Sequence, residues 1–153
     1  MTRGAASEPP IAPDLIDRLR ARFEGSSVQK FLRFQVADLA LDRCSMTVEF
    51  RMDFNNGGGA IHGGILAALA DTAVACALST NFDGKMGFAT SNLNIHFLRR
   101  AKSAVTAEAR IIKKGNRVCV GQVEMHDAEG NLVATCTTDF ILTTSKFEER
   151  EPG

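Results

Sequence analysis

His62-Gly63-Gly64-Ile65-Leu66-Ala67-Ala68-Leu69-Ala70-Asp71-Thr72-Ala73-Val74-Ala75-Cys76-Ala77-Leu78 is the stretch that decides how this chain folds. Alanine and leucine dominate it, and no proline or glycine follows Gly64, so it predicts a helix; buried strands rarely run this long. A helix apolar on every side is expected to be buried. Asp71 breaks the pattern. An unpaired carboxylate taken out of water is costly or takes up a proton, so Asp71 needs either a partner or a chemical task. A structural aspartate held by an arginine or a backbone amide is the plainer alternative.

Upstream lies Asn55-Asn56-Gly57-Gly58-Gly59-Ala60-Ile61, a turn-rich loop that delivers His62 and two glycines to the helix N-terminus. That end points free N–H groups and a partial positive charge outward, suited to a carbonyl oxygen gaining charge during acyl transfer. His62 as a simple cap, with Gly63 and Gly64 allowing close packing, is the structural alternative. At 1.5 Å of rise per residue, Asp71 lies about 12 Å along the axis from Gly63, too far for both to act on one carbon. Two antiparallel copies of the helix across a two-fold axis would bring Asp71 of one to His62 and Gly63 of the other. The small-residue stripe Gly64, Ala67, Ala68, Asp71 and Ala75 would let the backbones approach.

Asn56, five residues, His62-Gly63-Gly64, and Asp71 nine positions after the histidine resemble the signature of hotdog-fold thioesterases of the PaaI type. The likeness extends from about Phe31 to Thr144, with its specificity concentrated between Asn56 and Ala77. It implies an α+β hotdog fold, a long central helix wrapped by a curved antiparallel sheet of about six strands. It further implies a homodimer with one continuous sheet, expected to pair into a dimer of dimers, and acyl-CoA hydrolysis at two interfacial sites. By the same likeness, Asn56 and His62 orient the thioester or the water from the other subunit. A hydroxyl on the strand after the helix positions that water; Thr90 and Ser91 are both candidates.

With 153 residues the chain reads as one hotdog domain over residues 14–146, flanked by flexible tails at 1–13 and 147–153. A formal net charge of zero gives no global reason to expect nucleic acid or an anionic membrane as partner. The four cysteines Cys44, Cys76, Cys119 and Cys136 are widely spaced, follow no secretory leader and read as reduced core residues of a cytoplasmic protein. The longest apolar run contains Asp71 and is too short to predict a membrane span.

Leu15, Ile16, Leu19 and Phe23 recur at helical spacing between Asp14 and Glu24, an amphipathic surface helix. Phe31 to Ala40 and Cys44 to Met52 read as strands, the second with Cys44, Met46, Val48, Phe50 and Met52 on one face. Past the central helix, Phe88 to Leu98 predicts a strand with Ala89, Ser91, Leu93, Ile95 and Phe97 on one face and Thr90, Asn92, Asn94 and His96 on the other. Strands at 104–113, 116–126 and 131–144 complete the set.

Asp71 can serve thioester hydrolysis as a nucleophile forming an anhydride or as a general base toward water; sequence leaves both open. The Gly63 N–H is the candidate oxyanion contact, with Gly64 and Ala68 beside it on the substrate side. Coenzyme A carries phosphates, which Arg99 and Arg100, or Lys113 and Lys114, could meet. The acyl pocket is expected among Ala68, Val74, Leu78, Phe82 and Phe88. No separate cofactor is expected, coenzyme A being part of the substrate, and no metal: only His62, His96 and His126 exist and no metal-binding spacing occurs. P-loop, G-x-G-x-x-G and G-x-S-x-G patterns are missing. A non-catalytic acyl-CoA binding or sensing module is the competing reading, and a hotdog hydratase is disfavoured by the Gly63-Gly64-Ile65 context.

Overall fold

The computed structural model describes residues 10–146, with side chains described up to Thr143. The tails expected at the two termini fall mostly outside this range. Helix α1 (Pro13–Gly25) opens with proline in its first turn and buries Leu15, Leu19 and Phe23. A second short helix, α2 (Ser27–Leu32), occupies the start of the expected first strand, so β1 is only Gln35–Ala40. The difference has a local cause: α2 ends at Arg33 in the left-handed conformation (φ 54°), after which Phe34 enters the core.

Strand β2 (Arg43–Val48) also stops earlier than its alternation predicts. The chain then turns through a 3-10 segment, Met52–Phe54, in which Phe54 is buried and Met52 is 74% exposed. Phe54 takes over as the anchor, with the Arg51 guanidinium 4.4 Å above its ring. Helix α3 (Gly63–Ser79) follows, then β3 (Met86–Phe97), β4 (Val105–Lys114), β5 (Val118–Asp127) and β6 (Leu132–Lys146).

All six strands form one antiparallel sheet in the order β1-β2-β4-β5-β6-β3. One face of this sheet cradles α3, as the hotdog likeness implies. Met46, Val48, Leu69, Val74, Leu78, Val105, Val123 and Met125 are essentially sealed between the layers. At Gly121 on β5 a Cβ would lie 2.2 Å from Val74 Cγ1, so the absence of a side chain there lets the helix settle onto the sheet.

Helix α3 is not buried all round. Gly64 is exposed and Ala67, Ala68, Asp71, Thr72 and Ala75 are only partly buried, whereas Leu66, Leu69, Ala70, Ala73, Val74, Ala77 and Leu78 face the sheet. The open stripe is thus the small-residue stripe noted in the sequence.

β3 corrects the expected alternation. Its register against β6 slips between Thr90 and Asn92, leaving Ser91 in a bulge. Phe88 and Thr90 pair with Leu142 and Phe140, while Leu93, Ile95 and Phe97 pair with Thr138, Cys136 and Ala134. Because Phe140, Thr138, Cys136 and Ala134 are all buried, these β3 residues share the side toward α3. Thr90 therefore faces the helix, and Asn92, Asn94 and His96 face outward. Among the described residues, no helix is long and apolar enough to cross a membrane, and the four cysteines are free and buried.

Candidate active site

His62 caps α3: its Nδ1 accepts the Gly64 N–H at 2.9 Å, and its carbonyl accepts Ile65 and Leu66 N–H at 2.9 and 3.3 Å. Gly64 is accordingly not an open amide. The Gly63 N–H makes no hydrogen bond among the described residues, which leaves it as the unspent donor of the first turn. The Phe97 ring lies 3.1–3.5 Å from where a Gly63 Cβ would stand, so a side chain here must displace that ring.

The preceding loop is organised by its two asparagines. Asn55 Oδ1 accepts the Gly57 and Gly59 N–H groups at 3.1 and 2.9 Å, with both glycines at left-handed φ of 85° and 78°. Asn56 Oδ1 accepts the Gly58 and Ala60 N–H groups at 2.8 and 3.4 Å. With its oxygen committed inward, Asn56 has only its NH2 to offer, since the two backbone donors fix which end of the amide is the acceptor. Asn56 and Gly63 both line a cavity of about 330 Å³ with Leu66, Phe97, Arg99 and Arg100. A second cavity of about 480 Å³, lined by Lys102, Ser103, Asp127 and Asn131, shares Arg99 and Arg100 with it.

Asp71 lies on the open stripe of α3, where Thr90 Oγ1 donates to its Oδ1 at 2.9 Å. Burial pushes the Asp71 carboxyl above its ordinary value, and the Thr90 hydrogen bond partly offsets this by favouring the charged form. Burial likewise raises the Cys136 thiol, with a smaller push from the Asp71 charge. Ser91, displaced by the bulge, donates instead to the Asp139 carbonyl at 3.2 Å. Of the two candidate hydroxyls, only that of Thr90 meets Asp71. Asp71 and Gly63 stand eight residues apart on α3, about 12 Å.

Other candidates fall elsewhere. Val74 and Leu78 are sealed in the core and cannot line an acyl pocket; Ala68 and Phe88 are half-buried and Phe82 is exposed. Phe88 stands edge-on to Phe140 at 5.2 Å. Lys114 is paired with Asp42 Oδ2 at 2.7 Å and Asn81 Oδ1 at 3.1 Å, while Lys113 is exposed nearby. A cavity of about 530 Å³ opens on the outer side of the sheet among Asp38, Arg43, Glu108, Arg110, Gln122 and Glu124, remote from Asp71. Within it Ser45 donates to Glu108 at 2.9 Å and Arg110 to Gln122 at 2.7 Å. Among the described residues no cluster could hold a metal ion. Sequence reasoning missed the placement of Phe97 over Gly63, although its position at the end of an apolar strand face was visible.

The model of the thioesterase superfamily matches residues 58–134, which include the loop glycine Gly58, all of α3, β3 and Arg100. A protein of Saccharolobus solfataricus named "Putative esterase SSO2140" is 29% identical over 128 residues, 83% of this chain and 91% of its own length. The structure of the E. coli PaaI protein from the phenylacetic acid degradation operon superposes with a TM-score of 0.81 at 22% identity, covering 90% of this chain and 99% of that one. A variant of the phenylacetic acid degradation protein PaaI from Thermus thermophilus gives a TM-score of 0.69 at 28% identity, over 76% and 98% of the two chains. A thioesterase of Haemophilus influenzae gives 0.77 at 22%, over 88% and 94%. With the histidine cap, the glycine turn and the aspartate of α3 all inside the matched segment, this chain belongs to the thioesterase superfamily of hydrolases, and its hotdog fold is like that of the PaaI structures.

Proposed function

We propose that the protein is an acyl-CoA thioesterase whose sites are each completed by two copies of the chain. The observation that carries this reading is the placement of Asp71: a carboxylate held by Thr90 on a partly open stripe, about 12 Å along the helix from the unspent Gly63 amide of its own chain. An antiparallel second copy supplies that amide. The edge strand β3 supports the same pairing, because Met86–Phe97 presents twelve residues without a charge or proline to blunt the edge.

In such a site the partner's Gly63 N–H and Asn56 NH2 bind the carbonyl oxygen as it gains negative charge. Asp71 either takes the proton of the attacking water or attacks the carbonyl carbon itself, forming an anhydride that water then opens. Both routes expel the coenzyme A thiolate and release the acid, and neither calls on a cofactor. The nucleotide phosphates are assigned to the basic wall of Arg99, Arg100 and Lys102, where two cavities meet. The cytoplasm, where acyl-CoA thioesters are made and used, is the proposed location.

The test is release of free coenzyme A from a panel of acyl-CoA thioesters, with Asp71→Asn as control because the protein carries its own thiols. Asp71→Asn is expected to fold and to lose about 10³-fold in kcat. A folded variant with undiminished turnover discards the mechanism, and tight binding without turnover by the unaltered protein identifies a binding module instead.

A further inference from the structure

The end of β3 and the residues just after it grip the loop before α3 at three points. Phe97 covers Gly63, the Ala101 carbonyl accepts the Ile61 N–H at 2.8 Å, and Arg100 Nη2 donates to the Gly58 carbonyl at 3.1 Å. The last contact leads to the site, because the Gly58 N–H is one of the two donors that hold Asn56 Oδ1. Gly58 also differs from its neighbours. Gly57 and Gly59 need glycine for their left-handed backbone, whereas Gly58 does not adopt such a φ. What excludes a side chain there is chiefly Arg100, whose Nη2 would lie 2.6 Å from the Cβ, with Asn56 Oδ1 next at 3.2 Å.

From this we infer that Arg100 is a positioning residue for hydrolysis: through Gly58 it holds Asn56 with its NH2 directed to the cavity that Gly63 also lines. The inference rests on the reading of Asn56 and Gly63 as the oxyanion mouth. It separates Arg100 from Arg99 and Lys102, whose assigned work is on the carrier alone. A guanidinium has five donors in a rigid plane, so one can hold the loop while others face the second cavity.

The experiment compares an acyl-CoA with the matching acyl-N-acetylcysteamine thioester, which lacks the nucleotide and its phosphates. Arg100→Ala is expected to lower kcat about tenfold on both substrates through misplacement of Asn56, and added guanidinium at non-denaturing concentration is expected to restore part of it. Gly58→Ala, which displaces the guanidinium without removing it, should show the same loss and add little to Arg100→Ala when the two are combined. Should Arg100→Ala fail to fold, Gly58→Ala carries the test alone. A defect confined to a raised KM for the CoA thioester, with kcat on the short thioester untouched, would make Arg100 a phosphate ligand only and overturn the inference. Asp71→Asn runs alongside: its full activity on both substrates would remove the reading of the site and the inference with it, whereas its inactivity beside an unimpaired Arg100→Ala removes the inference alone.

Discussion

The two flanks of this molecule are finished in opposite ways. On one, the edge of β1 is closed by α1: Arg20 donates to the Val36 and Ala37 carbonyls and Glu24 accepts the Val36 N–H at 2.8 Å. The neighbouring C-terminal end of α3 is closed as thoroughly. Thr80 Oγ1 donates to the Ala77 carbonyl at 2.7 Å and accepts the Asp42 N–H at 2.9 Å, and Asp42 in turn binds Asn81 and Lys114 at 2.6 and 2.7 Å. On the other flank, the β3 edge has no partner strand among the described residues, the α3 stripe is only partly covered, and Gly63 keeps its N–H unspent. A chain that satisfies its polar groups so fully on one side leaves donors and an edge open on the other where something else is to supply the acceptors. A second copy and a thioester meet that description.

The contrast can be broken from either flank. On the open side, Gly63→Ala puts a Cβ 3.1 Å from the Phe97 ring, which is 53% exposed and yields toward solvent, and disturbs the first turn; we expect kcat to fall about tenfold to a hundredfold, with thermal stability little changed. On the closed side the pattern should invert. Thr80→Val removes the hydroxyl that both accepts and donates in a site 4% exposed, so unfolding free energy should drop by about 1–3 kcal/mol in urea titration while kcat per folded molecule stays as it was. Equal damage to activity from both variants would erase the distinction.

A smaller effect tests the electrostatics of the open flank. Burial holds the Asp71 carboxyl above its ordinary value and Thr90 opposes this by donating to the charged form, so Thr90→Val should move the acid limb of the kcat/KM profile to higher pH and cost about tenfold below it. The sign for stability follows. Between the ordinary carboxyl value and the raised one, the folded protein keeps a proton that the unfolded chain has lost, so stability declines as pH rises through that window. Asp71→Asn should therefore melt above the unaltered protein at neutral pH and lose that advantage at pH below the ordinary carboxyl range. An acid limb that does not respond to Thr90→Val would detach Thr90 from the chemistry.

Much of this arrangement was visible in the residues before any coordinates. The apolar density of Ile65 to Leu78 points to α3 and period-two alternation to β2, because burial imposes those repeats directly, while runs bounded by turn residues point to β4, β5 and β6. What stayed hidden depends on partners far along the chain. The bulge at Ser91 is set by pairing with β6, and without it Thr90 reads as an outward residue. Phe31 carries a strand-like residue type into α2 because Arg33 can adopt a left-handed cap, a local choice that composition does not announce. Likewise the Arg100 contact to Gly58 spans 42 residues, and in sequence the arginine is only one of a basic pair. Val74 and Leu78 show the opposite error, apolar residues assigned to a pocket although the helix turns them into the core.

Subunit mixing tests the central claim most directly. Chains carrying Asp71→Ala and chains carrying Gly63→Ala, each impaired alone, are unfolded together and refolded at equal amounts. Random pairing makes about half the dimers mixed, and each mixed dimer holds one site with both Asp71 and Gly63 intact, so activity should recover to about a quarter of the unaltered protein. If the mixture shows no more activity than its two parents combined, each site lies within one chain and the shared arrangement is wrong.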